Sequence, residues 1–386
     1  MSVIELAESF GINTEGALTG TSNDAFRAQR SRDPRVREAV RAADELWGRV
    51  WGGDRVAAAI VNEAMTTSDL FVSATGDVFD RELLAQYQDV PTTWSQYATR
   101  SRVRNFKAKK LIDIIGGRTR LDAVPERTEY PGAKYTIQAK KFGRRFGYSW
   151  EAGINDDLDE LRTIPNAYAR AAALTEEYAV LESLVTSATG VPLTSFFKSY
   201  NAAAANPLGY NAFDNSSTAA LTSDNLQAGI TSVSTRQDKD GNYLPTDRLI
   251  LMVGPALEFV ANRILNAPTV RTTNGTRTTE EGNYLRGRVE LVVNPFLVGL
   301  SWFLLPAPSS ATRPAVAGVF LTGFETPDLR VSNQTGRRAG GGDIPSEEGD
   351  FDTDSVYYRV RHVTGGASLD PIHTYGSTGA TGTPGV

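Results

Sequence analysis

Residues 134–186 constrain this chain most. They read as a basic strand, an acidic turn, and then the longest uninterrupted helical pattern in the sequence. In the helical part Ala167, Ala171, Leu174, Tyr178, Leu181 and Val185 recur at spacings of four and three, the signature of one apolar helix face. Pro165 is expected in the first turn, where its missing N–H costs nothing. About 24 residues at 1.5 Å rise make a rod of roughly 36 Å. Arg170, Glu176, Glu177 and Glu182 fall off the stripe and are expected on the polar side. No catalytic motif lies in this stretch, and on pattern alone it reads equally as an assembly element or as the core helix of a monomeric fold.

The strand ahead of the helix belongs to a basic segment. Residues 100–145 hold fourteen Lys or Arg against four acids, about +10, whereas the whole chain is −5, leaving the remainder near −15. Two strands, residues 103–115 and 134–150, flank a turn-rich tip and predict an extended hairpin. An isolated hairpin is marginal in water, so this one needs a surface to lie on. Tyr135, Ile137 and Ala139 share one parity, and Phe142, Phe146, Tyr148 and Trp150 the other. A bulge near residues 140–142 reconciles them, since one extra residue flips the face. The basic surface has three open readings: a solvated face, a dock for an acidic neighbour, or a nucleic-acid contact.

Upstream, residues 1–33 read as a loosely ordered arm. Val36, Val40, Ala43, Trp47 and Val50 then mark a helix ended by Gly52 and Gly53, and a second apolar helix follows near residues 55–64. Trp47 and Trp51 are expected as buried packing residues. Downstream, residues 222–235 and 255–265 read as helices. Residues 248–253, 289–293, 302–305, 316–321 and 355–363 read as strands. Residues 266–283 are expected to be polar and exposed, and the Gly/Thr/Ser/Pro tail from Thr374 flexible. Interleaved strands and helices give the class α+β.

Enzyme chemistry finds little purchase. With no cysteine, disulfides and thiolate chemistry are excluded. The two histidines, His362 and His373, sit on no nucleophile or zinc motif, and His362 reads as a sheet residue. Asp350, Asp352 and Asp354 have calcium-loop spacing, but an EF-hand would need glycine at Ser355 and glutamate at Arg361. The glycine run of residues 336–342 lacks a phosphate-binding pattern. No signal peptide or membrane span is read, and no cofactor or metal is expected.

Four stretches in order carry a resemblance. They are the basic strand with Ile154-Asn155-Asp156-Asp157 and the alanine-rich helix; Asp240-Gly241-Asn242-Tyr243-Leu244-Pro245 followed by LILMVGPALEFVANRIL; residues 289–304 with Leu321-Thr322-Gly323-Phe324-Glu325; and FDTDSVYYRVRHVTGGASLD. Together they resemble the major capsid proteins of tailed bacteriophages, the Hong Kong 97-type fold shared with encapsulins. The resemblance implies an N-terminal arm region (residues 1–98), an E-loop hairpin (99–147), a P domain with a long spine helix (148–205), an A domain (206–342) and a closing P-domain strand (343–373), ahead of the tail (374–386). It implies a subunit of an icosahedral head shell, with hexamers and pentamers enclosing double-stranded DNA at the inner surface. Portal, scaffolding and cement proteins are the other partners implied. The expected location is the virion capsid, assembled in the host cytoplasm. An encapsulin-type compartment is the related alternative, and an α+β enzyme with an unrecognised site the distant one. Inter-subunit contacts are expected from Lys134, Lys140, Lys141, Phe142, Arg144 and Arg145 on the hairpin and Glu176, Glu177 and Glu182 on the helix. Some relatives join subunits by lysine–asparagine bonds. No asparagine follows Asn333 here, so a non-covalent shell is expected.

Overall fold

A computed structural model describes residues 34–54, 56–57, 60–61, 69–111, 135–149, 159–186, 188–201, 210–238, 241–246, 248–274, 277–308, 313–331 and 355–385. The elements, in order, are α1 (Pro34–Trp51), α2 (Asp69–Asp89), α3 (Trp94–Tyr97), β1 (Thr99–Val103), β2 (Lys109–Leu111), β3 (Tyr135–Ile137), β4 (Lys140–Ser149), α4 (Asp159–Leu181) and β5 (Ser216–Ala219). Then follow α5 (Ser223–Ser234), β6 (Leu249–Val253), α6 (Glu258–Asn266), β7 (Thr269–Asn274), β8 (Arg277–Gly282), β9 (Val289–Val293), β10 (Trp302–Pro306), β11 (Val316–Leu321), β12 (Asp328–Val331), β13 (Ser355–Ser368) and β14 (Tyr375–Thr381). The α+β class stands. The chain forms two units: Met1–Pro91 with Lys140–Leu174 and Leu321–Thr364, and Thr92–Ala139 with Thr175–Phe320 and Gly365–Val386.

In the first unit, the spacing of Val40, Ala43, Trp47 and Val50 buries all four. Trp47 is the centre. Its ring lies 5.9 Å from Trp51 and 5.2 Å from Phe79, and its indole N–H donates to Thr75 Oγ1 at 3.2 Å. The last contact satisfies a polar atom that burial would otherwise leave unpaired. Helix α2, which has little amphipathic pattern, was not legible in the sequence. Against this core lies an antiparallel sheet of β4, β13 and β12, with Phe146 stacked on Tyr358 at 5.1 Å and on Tyr168 at 5.5 Å.

The second unit is built on the sheet β5-β14-β10-β6-β9. Strands β6 and β10 are buried on both faces, which is why they read as continuous apolar runs, LILMV and WFLLP. Leu249, Leu251, Val253, Trp302 and Leu304 pack with α5 and α6. Ile250, Met252, Phe303 and Leu305 pack with Val180, Leu181, Phe196, Phe197 and Phe320. Helix α5 starts where expected, because Thr222 caps it by accepting from the Asn225 N–H at 3.2 Å.

Residues 266–283, expected to be polar and exposed, carry an antiparallel hairpin of β7 and β8. Two other expectations fail. The strand expected to stop before Gly365-Gly366 runs through both to Ser368. The tail from Thr374 is not flexible: β14 lies between β5 and β10. Its small residues are packing residues. A Cβ on Gly376 would stand 2.6 Å from the Phe197 ring, and Gly379 has φ +66 beside the Leu300 carbonyl. The chain leading into β14 is pinned by Asp370, which accepts from the Tyr210 hydroxyl at 2.6 Å, and by Arg236, which donates to the Pro371 and Ile372 carbonyls.

Candidate subunit-contact surfaces

Of the predicted hairpin, the described residues show the base, where β2 pairs with β3 over Lys109–Leu111 and Tyr135–Ile137; residues 112–134 lie outside them. The chain breaks pairing at Gln138 and Ala139, just ahead of residues 140–142 where a bulge was expected, and those three pair with β13 in regular register. Strand β4 is not a hairpin arm. It pairs along its length with β13, from Ser149↔Ser355 to Lys140↔Thr364. The predicted return strand therefore divides between two partners, because residues 355–364 supply a longer complementary edge than β2 does. Lys134 lies outside the described residues.

The remaining hairpin candidates all sit on β4. Lys140, Lys141, Arg144 and Arg145 are exposed, and Phe142 is 38% exposed. Side chains alternate along a strand, so Arg144 shares a face with Phe146 and the core, whereas Arg145 points to the opposite face. Lys140 and Phe142 have the parity of Arg144, and Lys141 that of Arg145.

Helix α4 turns the first part of its predicted stripe outward while Leu181 and Val185 stay buried, and Pro165 is its seventh residue, past the first turn. Ala167 and Ala171 are exposed, as are Leu174 (38%) and Tyr178 (42%), although the spacing marked them for the core. The buried side carries Ala169, Ala172, Ala173, Glu176, Glu177, Val180 and Leu181. Alanine at so many positions gives the helix more than one acceptable apolar face, and polar partners decided between them. Glu177 accepts from the backbone N–H groups of Thr93 and Trp94, each at 2.9 Å, from the Thr93 hydroxyl, and from Asn294 Nδ2 at 2.8 Å. Glu176 accepts from the Trp94 indole N–H at 3.1 Å. The Glu177 carboxylate satisfies the open N–H groups at the start of α3, and Glu176 the indole of its first residue. Burial, and then the Glu177 charge, push the Tyr97 hydroxyl well above the usual phenol range. Glu176 and Glu177 are thus interior residues, contrary to the exposed surface expected of them. Glu182 is exposed. Only the donors Trp94 and Asn294, remote in sequence, distinguish the buried pair from the exposed one.

Among the described residues, no group of three or more acidic or histidine side chains could hold a metal ion. Nor is any described helix long and apolar enough to cross a membrane. His362 is buried in β13, its ring 5.9 Å from Tyr87. The polar architecture serves packing, and the exposed features are surfaces.

No curated protein matches the sequence. Among solved structures, the chain is similar to the mature capsid of bacteriophage PhiM1, at 11% identity over 75% of this chain and 87% of that one, with a TM-score of 0.43. It is similar to a virus-like particle from Pyrococcus furiosus, at 9% identity over 78% and 97%, TM-score 0.40. It is also similar to the SrpI encapsulin of Synechococcus elongatus, at 10% identity over 75% and 88%, TM-score 0.38. The family model described as "Phage capsid protein" matches residues 133–376, from the last residues of the basic segment to the start of β14. That match spans well over half of the sequence: the chain belongs to the phage capsid protein family, as its resemblance to tailed-bacteriophage capsids implied.

Proposed function

We propose that this protein forms the icosahedral head shell of a tailed bacteriophage, as hexamers and pentamers around double-stranded DNA. The observation that carries the reading beyond the family is helix α4, which is apolar on two sides. One side is buried in its own subunit. The other presents Ala167, Ala171, Leu174 and Tyr178 to solvent at spacings of four and three. An exposed apolar stripe of this kind marks a contact with another chain. In this reading β2 and β3 form the base of the E-loop, α4 is the spine helix, and the sheet of β4, β13 and β12 belongs to the P domain. The sheet around β6 and β10 belongs to the A domain. Lys140, Lys141, Phe142, Arg144, Arg145 and Glu182 remain as contact residues. Portal and scaffolding proteins are the partners such a shell requires, and a cement protein is one it accommodates.

Electron microscopy of the purified protein tests this. Uniform icosahedral particles are expected. Only small globular species under all assembly conditions would refute it, and particles filled with protein cargo instead of DNA would move the reading to an encapsulin-type compartment.

The shell is expected to be non-covalent. No asparagine follows Asn333, so β13 and β14 offer no amide partner to the exposed Lys140 and Lys141. Boiled particles on a denaturing gel should give one band at the 41.8 kDa subunit mass. A ladder of multimers would show a cross-link.

A further inference from the structure

Strands β4, β13 and β12 align three arginines. Arg145 is directly opposite Arg359, and Arg359 directly opposite Arg330. Directly opposed residues share a face, and neighbouring strands lie about 4.8 Å apart, so the three arginine backbone positions fall within ~10 Å in one row. In the next row, Gly143 stands opposite Arg361 and Arg361 opposite Asp328. Asp328 is already shared: it accepts from Arg361 at 3.0 and 2.9 Å and from Arg330 at 2.9 Å. Arg145 and Arg359 are exposed and have no ion-pair partner among the described residues. The Arg145 guanidinium is instead held over the Tyr357 ring at 5.3 Å. Gly143 and Gly147 flank Arg145 in β4, and the Tyr357 ring that holds the Arg145 guanidinium lies against Gly147.

Like charges directly opposite in a sheet destabilise it. A ladder of three is relieved when an anionic chain lies across it, and the planar arginine fork suits carboxylates. We infer that this face docks an acidic stretch of a second copy of the chain. The inference rests on the shell reading above. Charge complementarity supports the choice. Outside residues 100–145 the chain is near −15, and residues 347–354 hold five acids and no base. Asp350, Asp352 and Asp354 alternate there in the sequence, outside the described residues. The negative net charge of the subunit as a whole disfavours DNA as the occupant.

Two charge reversals test this: Arg145→Glu with Arg359→Glu, and Asp350→Lys with Asp352→Lys and Asp354→Lys. Each variant should melt like the wild type yet lose at least about tenfold in particle yield at low salt. A one-to-one mixture of the two should recover particles. Normal assembly of either variant overturns the inference. So does failure of the mixture while both variants are folded, which would place the contact within one chain. Normal assembly of the arginine variant with lost binding to a duplex oligonucleotide would assign the face to nucleic acid. If reversal unfolds the subunit, Arg145→Gln with Arg359→Gln removes the charge without inverting it and is read the same way. Wild-type subunits that never form particles would defeat the shell reading itself. The docking would then be read from sedimentation, where identical oligomer distributions for wild type and the arginine variant overturn it.

Discussion

Glu177→Ala is expected to destabilise the subunit by about 3–5 kcal/mol, because two or three buried donors would each lose their acceptor at ~1–3 kcal/mol apiece. The donors are the Thr93 and Trp94 backbone N–H groups and Asn294 Nδ2. The Trp94 and Asn294 donors cannot turn to water, since Glu177, Trp94 and Asn294 are all buried, whereas Thr93 is half-buried. A domain is stable by about 5–15 kcal/mol, so a loss of this size is a large share of the total. Chemical denaturation of the isolated subunit measures it. Glu177→Gln should fall between the two, because the amide keeps one acceptor and turns an NH₂ group toward existing donors. Glu182→Ala, on the exposed side of the same helix, should change stability by no more than about 0.5 kcal/mol. Equal effects from the two positions would mean that the Glu177 network contributes nothing.

Gly366→Ala is expected to cost about 3 kcal/mol or more, at the upper end for overpacking. A Cβ there would stand 1.9 Å from the Ala179 carbonyl oxygen and 2.7 Å from the Val180 Cα. Both are backbone atoms of a helical segment, and neither yields as a side-chain tip does. Strand β13 passes the end of α4 at this point, so the substitution forces one from the other. Gly48→Ala supplies the contrast. Gly48 lies within α1, a Cβ there meets nothing within 4 Å, and alanine should stabilise by about 0.5–1 kcal/mol. Thermal melts of the two variants should therefore move in opposite directions. A Gly366→Ala protein that melted like the wild type would show that β13 does not approach α4 so closely.

Much of the core was legible where neighbours on both sides make the same demand. Strands β6 and β10 are apolar without interruption because both faces of their sheet are covered, and they lie where the sequence placed them. Helix α1 was legible because one face is buried and the other wet. The contact surfaces were legible as composition and not as geometry. A run of lysine and arginine marked residues 100–145. Only the register of β4 against β13 separated Arg144 from Arg145 and put Arg359 and Arg330 beside the latter.

By itself, the sequence determined the α+β class, the family, the long helix and the absence of cysteine chemistry, all properties of local pattern and residue inventory. Tertiary structure decided which side of α4 faces inward. An alanine-rich helix has almost no preference of its own, so the donors of Thr93, Trp94 and Asn294 drew Glu176 and Glu177 into the core and left Leu174 and Tyr178 outside. It also decided the fate of the tail, whose glycines and serines read as flexible but fill β14, where Phe197 and the Leu300 backbone leave no room for larger residues. Small residues look alike in sequence whether they are loose or tightly packed, and only the neighbouring chain tells them apart.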